Sequence, residues 1–270
     1  MNCKDKVIRH LEEYRINRIS EFGNEKGEYR KKYYFHVLPN NDADKNIIDR
    51  GYQNDILGLL KSENIKHCGF ANLNSSQAMA LNLFGPLCVE NILSTVIPYI
   101  QDQVQSEALV YQFEKKEKDS SQIDFYVESG NKKFYFEVKF SEGFEPKSHS
   151  KNNDERWTLF YEGPMKMILK DEMWPHAKEE FLNKKYQLWR NVRMISDPDS
   201  FVCFVFPRFR RDLTVEVEAS KQFLLPSFAE KVKVLYVEDV CNTILSKYLD
   251  NCKLMAHYTE FHEKYISGID

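Results

Sequence analysis

Ile123-Asp124-Phe125-Tyr126-Val127-Glu128 and Phe134-Tyr135-Phe136-Glu137-Val138-Lys139-Phe140 both alternate with a period of two residues, the spacing that sends successive side chains to opposite faces of a strand. Between them Ser129-Gly130-Asn131-Lys132 supplies turn-forming residues, so the strands are expected to pair as an antiparallel hairpin. A symmetric loop gives cross-strand partners whose numbers add to 261, which sets Asp124 opposite Glu137. Directly opposed residues have Cβ atoms roughly 4.5–5.5 Å apart, and like charges so placed repel. Lys139 points to the same face, while Phe134, Phe136, Val138 and Phe140 form an apolar reverse side.

Two carboxylates and one ammonium thus converge in front of apolar packing. A hard divalent cation, Mg²⁺ or Mn²⁺, is bound by such carboxylate pairs, with water and phosphate oxygens completing its shell. There it would make hydroxide from bound water and stabilise charge on a phosphodiester. Lys139 would orient or deprotonate the water, or neutralise the phosphate in its transition state. The competing reading is a solvated strand face, because Glu-x-Lys is common on exposed strands and Val215-Glu216-Val217-Glu218 is a comparable alternation.

The rest of the chain bounds these alternatives. It has 270 residues, 42% apolar and 29% charged, which is ample for a core and excludes a disordered or fibrous chain. A formal net charge of −3 carries no overall electrostatic footprint of a nucleic-acid binder, although a local basic groove would not show in the total. The longest apolar runs, such as Phe201–Phe206, fall far short of the roughly 18 residues of a membrane helix. No secretory segment opens the chain, so a cytoplasmic protein is expected, with the six cysteines as reduced core thiols. No Walker-type loop or HExxH pair is present, and His257 and His262 read as surface residues of a C-terminal helix. Without a repeat or a long linker, residues 1–270 read as one domain: an N-terminal elaboration to residue 70, a core over 71–240 and a C-terminal helix over 241–270.

Apolar spacing predicts helices over Asp5–Ile19 and about Asn46–Leu60. The basic-aromatic run Lys26–Phe35 reads better as a solvated strand edge than as a phosphate contact. Ser75 or Ser76 caps a further helix, which Gly85-Pro86 should end, starting another over about Pro86–Ile97. Glu90 is the one carboxylate of that second helix, either on its wet side or in a site. Arg208, Arg210 and Arg211, beside Phe206 and Phe209, either grip nucleic-acid phosphate or form a polar strand terminus.

Asp124, a hairpin, and Glu137-Val138-Lys139 together resemble the signature of the PD-(D/E)xK, or restriction-endonuclease-like, nuclease superfamily. Ser75-Ser76-Gln77 followed by Asn82-x-Phe84-Gly85-Pro86-Leu87 resembles an SSQxxxxNxFGPL segment of a bacterial family. The resemblance covers about residues 65–195. It implies an α/β fold with an αβββαβ core, a mixed central sheet flanked by helices, and an N-terminal helical elaboration. The helix would be Pro86–Ile97, the first strand about Ala108–Phe113, the later helix about Glu179–Ile195, and further strands 201–206 and 232–237. Residues 141–178, with Ser148, Asn152, Asn153 and Gly163, would form a long insertion near the site.

The same resemblance implies a Mg²⁺-dependent endonuclease acting on DNA, with Asp124, Glu137 and Glu90 as metal ligands and Lys139 assisting the water. Glu107 and Glu114 compete with Glu90, and Gln187 matches a glutamine that some members place after the lysine strand. Asn191 stands where those members have a tyrosine. Cleavage of both strands would imply a homodimer. The alternative is a non-catalytic module on the same fold that binds nucleic acid or a protein.

Overall fold

Pairing of the two alternating strands determines how the rest of the chain can be laid down. A computed structural model describes residues 2–61, 69–97, 100, 109–117, 119, 121–144, 153–181 and 185–269. In chain order its longer elements are helix α1 (Cys3–Ile16), strands β1 (Gly27–Tyr29) and β2 (Lys32–Tyr34), and helices α2 (Gln53–Lys61) and α3 (Ser76–Val89). Strands β3 (Val110–Lys116), β4 (Gln122–Ser129) and β5 (Lys132–Val138) and helix α4 (Tyr186–Val192) follow. Strand β6 (Ser200–Phe206), helix α5 (Arg211–Lys221), strand β7 (Val232–Tyr236) and helices α6 (Val237–Lys247) and α7 (Cys252–Tyr265) complete the order. The chain forms two compact units: Met1–Gln103 with Phe206–Phe209 and Tyr236–Asp270, and Val104–Val205 with Arg210–Leu235.

The second unit carries the five-stranded sheet, in the order β3-β4-β5-β6-β7. Strand β3 pairs antiparallel with β4 and β4 antiparallel with β5, whereas β5 and β6 are parallel. A parallel pair needs a long crossover, and α4 lies in that connection. The sheet is therefore mixed and flanked by helices, the α/β arrangement expected of a restriction-endonuclease-like core. One face is built from aromatic pairs: the Phe113 and Phe125 rings lie 4.7 Å apart and the Phe125 and Phe136 rings 5.6 Å apart. Such offset contacts add to the area these rings bury.

Val215-Glu216-Val217-Glu218 is not a strand. It lies in α5, where Leu213 and Val217, four residues apart, are buried and Val215 is 68% exposed. Glu216 pairs with Lys185 and Glu218 with Lys221. Helical spacing and two ion pairs account for the pattern that alternation alone suggested.

In the first unit, Gly85-Pro86 does not end a helix. Ser75 caps α3 through its hydroxyl, which accepts from the Ala78 amide, and the helix runs through Pro86 to Val89; a separate short turn follows at Leu93–Val96. Proline inside a helix removes the donor for the carbonyl four residues earlier, here that of Asn82. His257 Nε2 supplies the missing hydrogen at 2.8 Å, and the Tyr258 hydroxyl donates to the adjacent Leu83 carbonyl at 2.5 Å. His257 is accordingly fully buried, not on the surface, and burial pushes its pKa down to about 4. Gly85 is glycine for space: a Cβ there would come within 2.7 Å of Ile56 Cγ1.

Asn82 extends this polar core. Its Oδ1 accepts from the Ile48 amide, and its Nδ2 donates to the Asn46 carbonyl and the Tyr265 hydroxyl. Lys264 Nζ donates to both oxygens of Asn46 at 2.7 Å. Arg15 of α1 is likewise buried, and its guanidinium donates to the carbonyls of Phe22, Gly23, Glu25, Phe35 and Val37. The basic-aromatic run forms the β1–β2 hairpin, with Arg30 and Lys31 both at positive φ in its turn. Cys88, Cys203 and Cys241 are buried thiols, whereas Cys252 is exposed rather than in the core. Among the described residues no helix is long and apolar enough to cross a membrane.

Candidate functional site

The β4–β5 pairs from Phe125↔Phe136 to Ser129↔Lys132 all add to 261, the register that the loop symmetry predicts. Asp124 and Glu137 are the next positions along the two strands, and Asp124 Oδ2 accepts from the Val138 amide at 2.7 Å. On the other side, Phe113↔Phe125 and Lys115↔Ile123 bracket Glu114, placing it at the register position opposite Asp124. Glu114 is buried and has φ +52°, a conformation that L-residues adopt at a cost. One carboxylate from each of three neighbouring strands thus falls in a row across the sheet.

Charge is distributed unevenly along that row. Glu137 is buried, with Lys139 Nζ 2.7 Å from its Oε1 and an Arg190 guanidinium nitrogen 3.1 Å from its Oε2. Burial disfavours its ionisation, but the two cations outweigh that effect and hold its pKa below the ordinary value. Asp124 has the opposite balance. Burial, then the negative charges of Glu137 and Glu114, push its carboxyl well above the usual range, against the pull of Lys139. Burial also works against the Lys139 ammonium, yet Glu137, Glu142 and Asp124 raise its pKa. Lys139 is therefore a cation, and not the depressed base that desolvation by itself would create.

Over residues 9–266 the chain matches the family described as Restriction Endonuclease associating with ARP. The chain belongs to this family. No curated protein and no solved structure matches it. A restriction-endonuclease-like identity follows, and the match takes in both the hairpin and the Ser75–Leu87 segment.

Within this restriction-endonuclease family member, the other expected site residues are carried by several elements. Gln187 lies on α4, three and four residues before Arg190 and Asn191 and so on the same helical face, with its Oε1 buried and lacking a hydrogen-bond partner. Glu90 caps the C-terminus of α3 in the first unit, accepting from the Tyr52 hydroxyl at 2.5 Å and from Asn251 Nδ2 at 3.4 Å. Arg208 pairs with Asp239 and lies over the Tyr236 ring. Arg210 is buried: it pairs with Asp212 and donates to the carbonyls of Phe140 and Glu142, fixing the chain just beyond β5. Arg211 is exposed at the start of α5. Glu107, Ser148 and Asn152 lie outside the described residues.

Two features carried no sequence signal. Arg190 sits in the helical segment singled out for Gln187, but nothing in its spacing marks it as the partner of Glu137. Asp119 is the centre of a buried cluster, accepting from the Tyr161 hydroxyl and Ser121 and pairing with Arg193, which hold its pKa below the ordinary value despite burial. Among the described residues no group of three or more His, Cys, Asp or Glu side chains is arranged to hold a metal ion.

Proposed function

We propose that this chain is a metal-dependent phosphodiester hydrolase of the PD-(D/E)xK type acting on DNA. The observation that carries the reading is the hairpin register, which sets Asp124 beside Glu137 with Lys139 in contact. The donor set fits a divalent cation: Asp124 and Glu137 stand at adjoining register positions, and burial, then the charges of Glu137 and Glu114, disfavour ionisation of Asp124, an effect such a cation would offset. Asp124 and Glu137 would hold Mg²⁺ or Mn²⁺, which when bound supplies an activated water and polarises the phosphate.

Lys139, being an ammonium, is suited to neutralising charge on the phosphate and orienting the water rather than to removing a proton. Glu114 stands in the row of carboxylates, whereas Glu90 is engaged by Tyr52 and Asn251, so Glu114 is the stronger candidate for a third acidic group. Gln187, on the Arg190 face of α4, would orient water or phosphate, and exposed Arg211 is the best placed of the three arginines to meet DNA. Cleavage of both strands would take a second copy of the chain.

Nicking of supercoiled plasmid in the presence of Mg²⁺ tests the proposal. Glu137→Ala and Lys139→Ala should each abolish it while circular dichroism stays native, and unchanged cleavage by both variants would place the chemistry elsewhere. The second reading, a binding module that does not cut, is favoured by one observation: both Glu137 oxygens already carry cationic donors. DNA retention by a chain with no Mg²⁺-dependent nicking would support it.

A further inference from the structure

We propose that Arg190 is a positioning residue that acts as the resident counter-cation of Glu137, opposing entry of a divalent ion and so setting the metal affinity of the site. The inference rests on the reading of Asp124 and Glu137 as metal ligands.

Arg190 is 7% exposed, and its guanidinium is fixed by acceptors on separate elements. It contacts Glu137 Oε2 at 3.1 Å on β5 and the Gln122 carbonyl at 3.3 Å on β4, while its Nε donates to Asn191 Oδ1 at 3.2 Å on α4. Lys139 takes the other Glu137 oxygen at 2.7 Å. Lys139 and Arg190 thereby occupy both oxygens of Glu137, so that carboxylate is already compensated by the protein's own side chains. Guanidinium stays charged at any relevant pH, and these hydrogen bonds hold it in place. An entering divalent ion therefore meets a fixed positive charge in a poorly hydrated place, where repulsion is weakly screened.

A purely structural Arg190 makes the opposite prediction, since removing it would loosen Glu137 and weaken binding. The experiment is Mn²⁺ titration of nucleic-acid-free protein, followed by electron paramagnetic resonance, for wild type, Arg190→Gln, Arg190→Met and Arg190→Lys. Both neutral variants keep an aliphatic stem for packing, and melting curves report whether each is folded; if one does not fold, the other decides. The neutral variants should bind Mn²⁺ about tenfold more tightly than wild type, as expected for loss of one nearby charge. The lysine variant should stay near wild type. Equal or weaker binding by the folded neutral variants overturns the role of Arg190 and leaves the metal site standing. Absence of saturable Mn²⁺ binding in every variant, wild type included, overturns both.

Discussion

His257 Nε2 lies 2.8 Å from the carbonyl oxygen of Asn82, the acceptor that Pro86 leaves without a helical donor. Because that nitrogen faces a carbonyl it must carry the proton, which makes His257 a neutral donor in the core of the first unit. Replacing it by alanine strands a buried carbonyl, at a cost of about 1–3 kcal/mol. Pro86→Ala restores an amide donor to the same carbonyl. A denaturant-unfolding cycle should therefore show His257→Ala costing less in the Pro86→Ala background than in the wild-type chain. Additive costs would mean that the carbonyl is satisfied in some other way.

Lys264 is fully buried, and burial lowers its pKa from 10.5 to about 7. Between those values the unfolded chain binds more protons than the folded one, so stability rises with pH across that window and is flat below it. Lys264→Met removes the titrating group. Urea midpoints measured from pH 6 to pH 9.5 should climb for the wild type and stay level for the variant, relative to any common trend.

Asp124 carries the reverse linkage. Its folded pKa lies above the ordinary 3.8, so its ionisation costs stability as pH rises through that range. Asp124→Asn keeps the shape and an acceptor for the Val138 amide but relieves the repulsion from Glu137 and Glu114. In metal-free buffer at pH 7 the variant should melt at a higher temperature than wild type. A lower melting point would show that the Asp124 charge is already compensated.

How much of this could be read from residues alone differs from element to element. Register was legible because a short turn and strict alternation leave the 124–137 pairing little freedom. The helix through Pro86 was not, since its continuation depends on His257, 175 residues away in sequence, reaching the released carbonyl. Val215–Glu218 looked like a strand because four residues can satisfy either period, and only the burial of Leu213 with Val217 separates the two. Arg190 escaped notice for a related reason: a cation on a helix has many possible partners, and tertiary packing selects Glu137. Arg210 was read with Arg208 and Arg211 as a phosphate contact or a polar strand terminus, and only its geometry shows that it is tied to backbone carbonyls.

The claim on which the functional account depends is that Asp124 and Glu137 hold a divalent cation together. Isothermal titration of Mn²⁺ into wild type, Asp124→Asn and Glu137→Gln tests it most directly, with a melt of each protein confirming the fold. The account predicts saturable binding by wild type and its loss in both folded variants. Undiminished binding in either folded variant would contradict it.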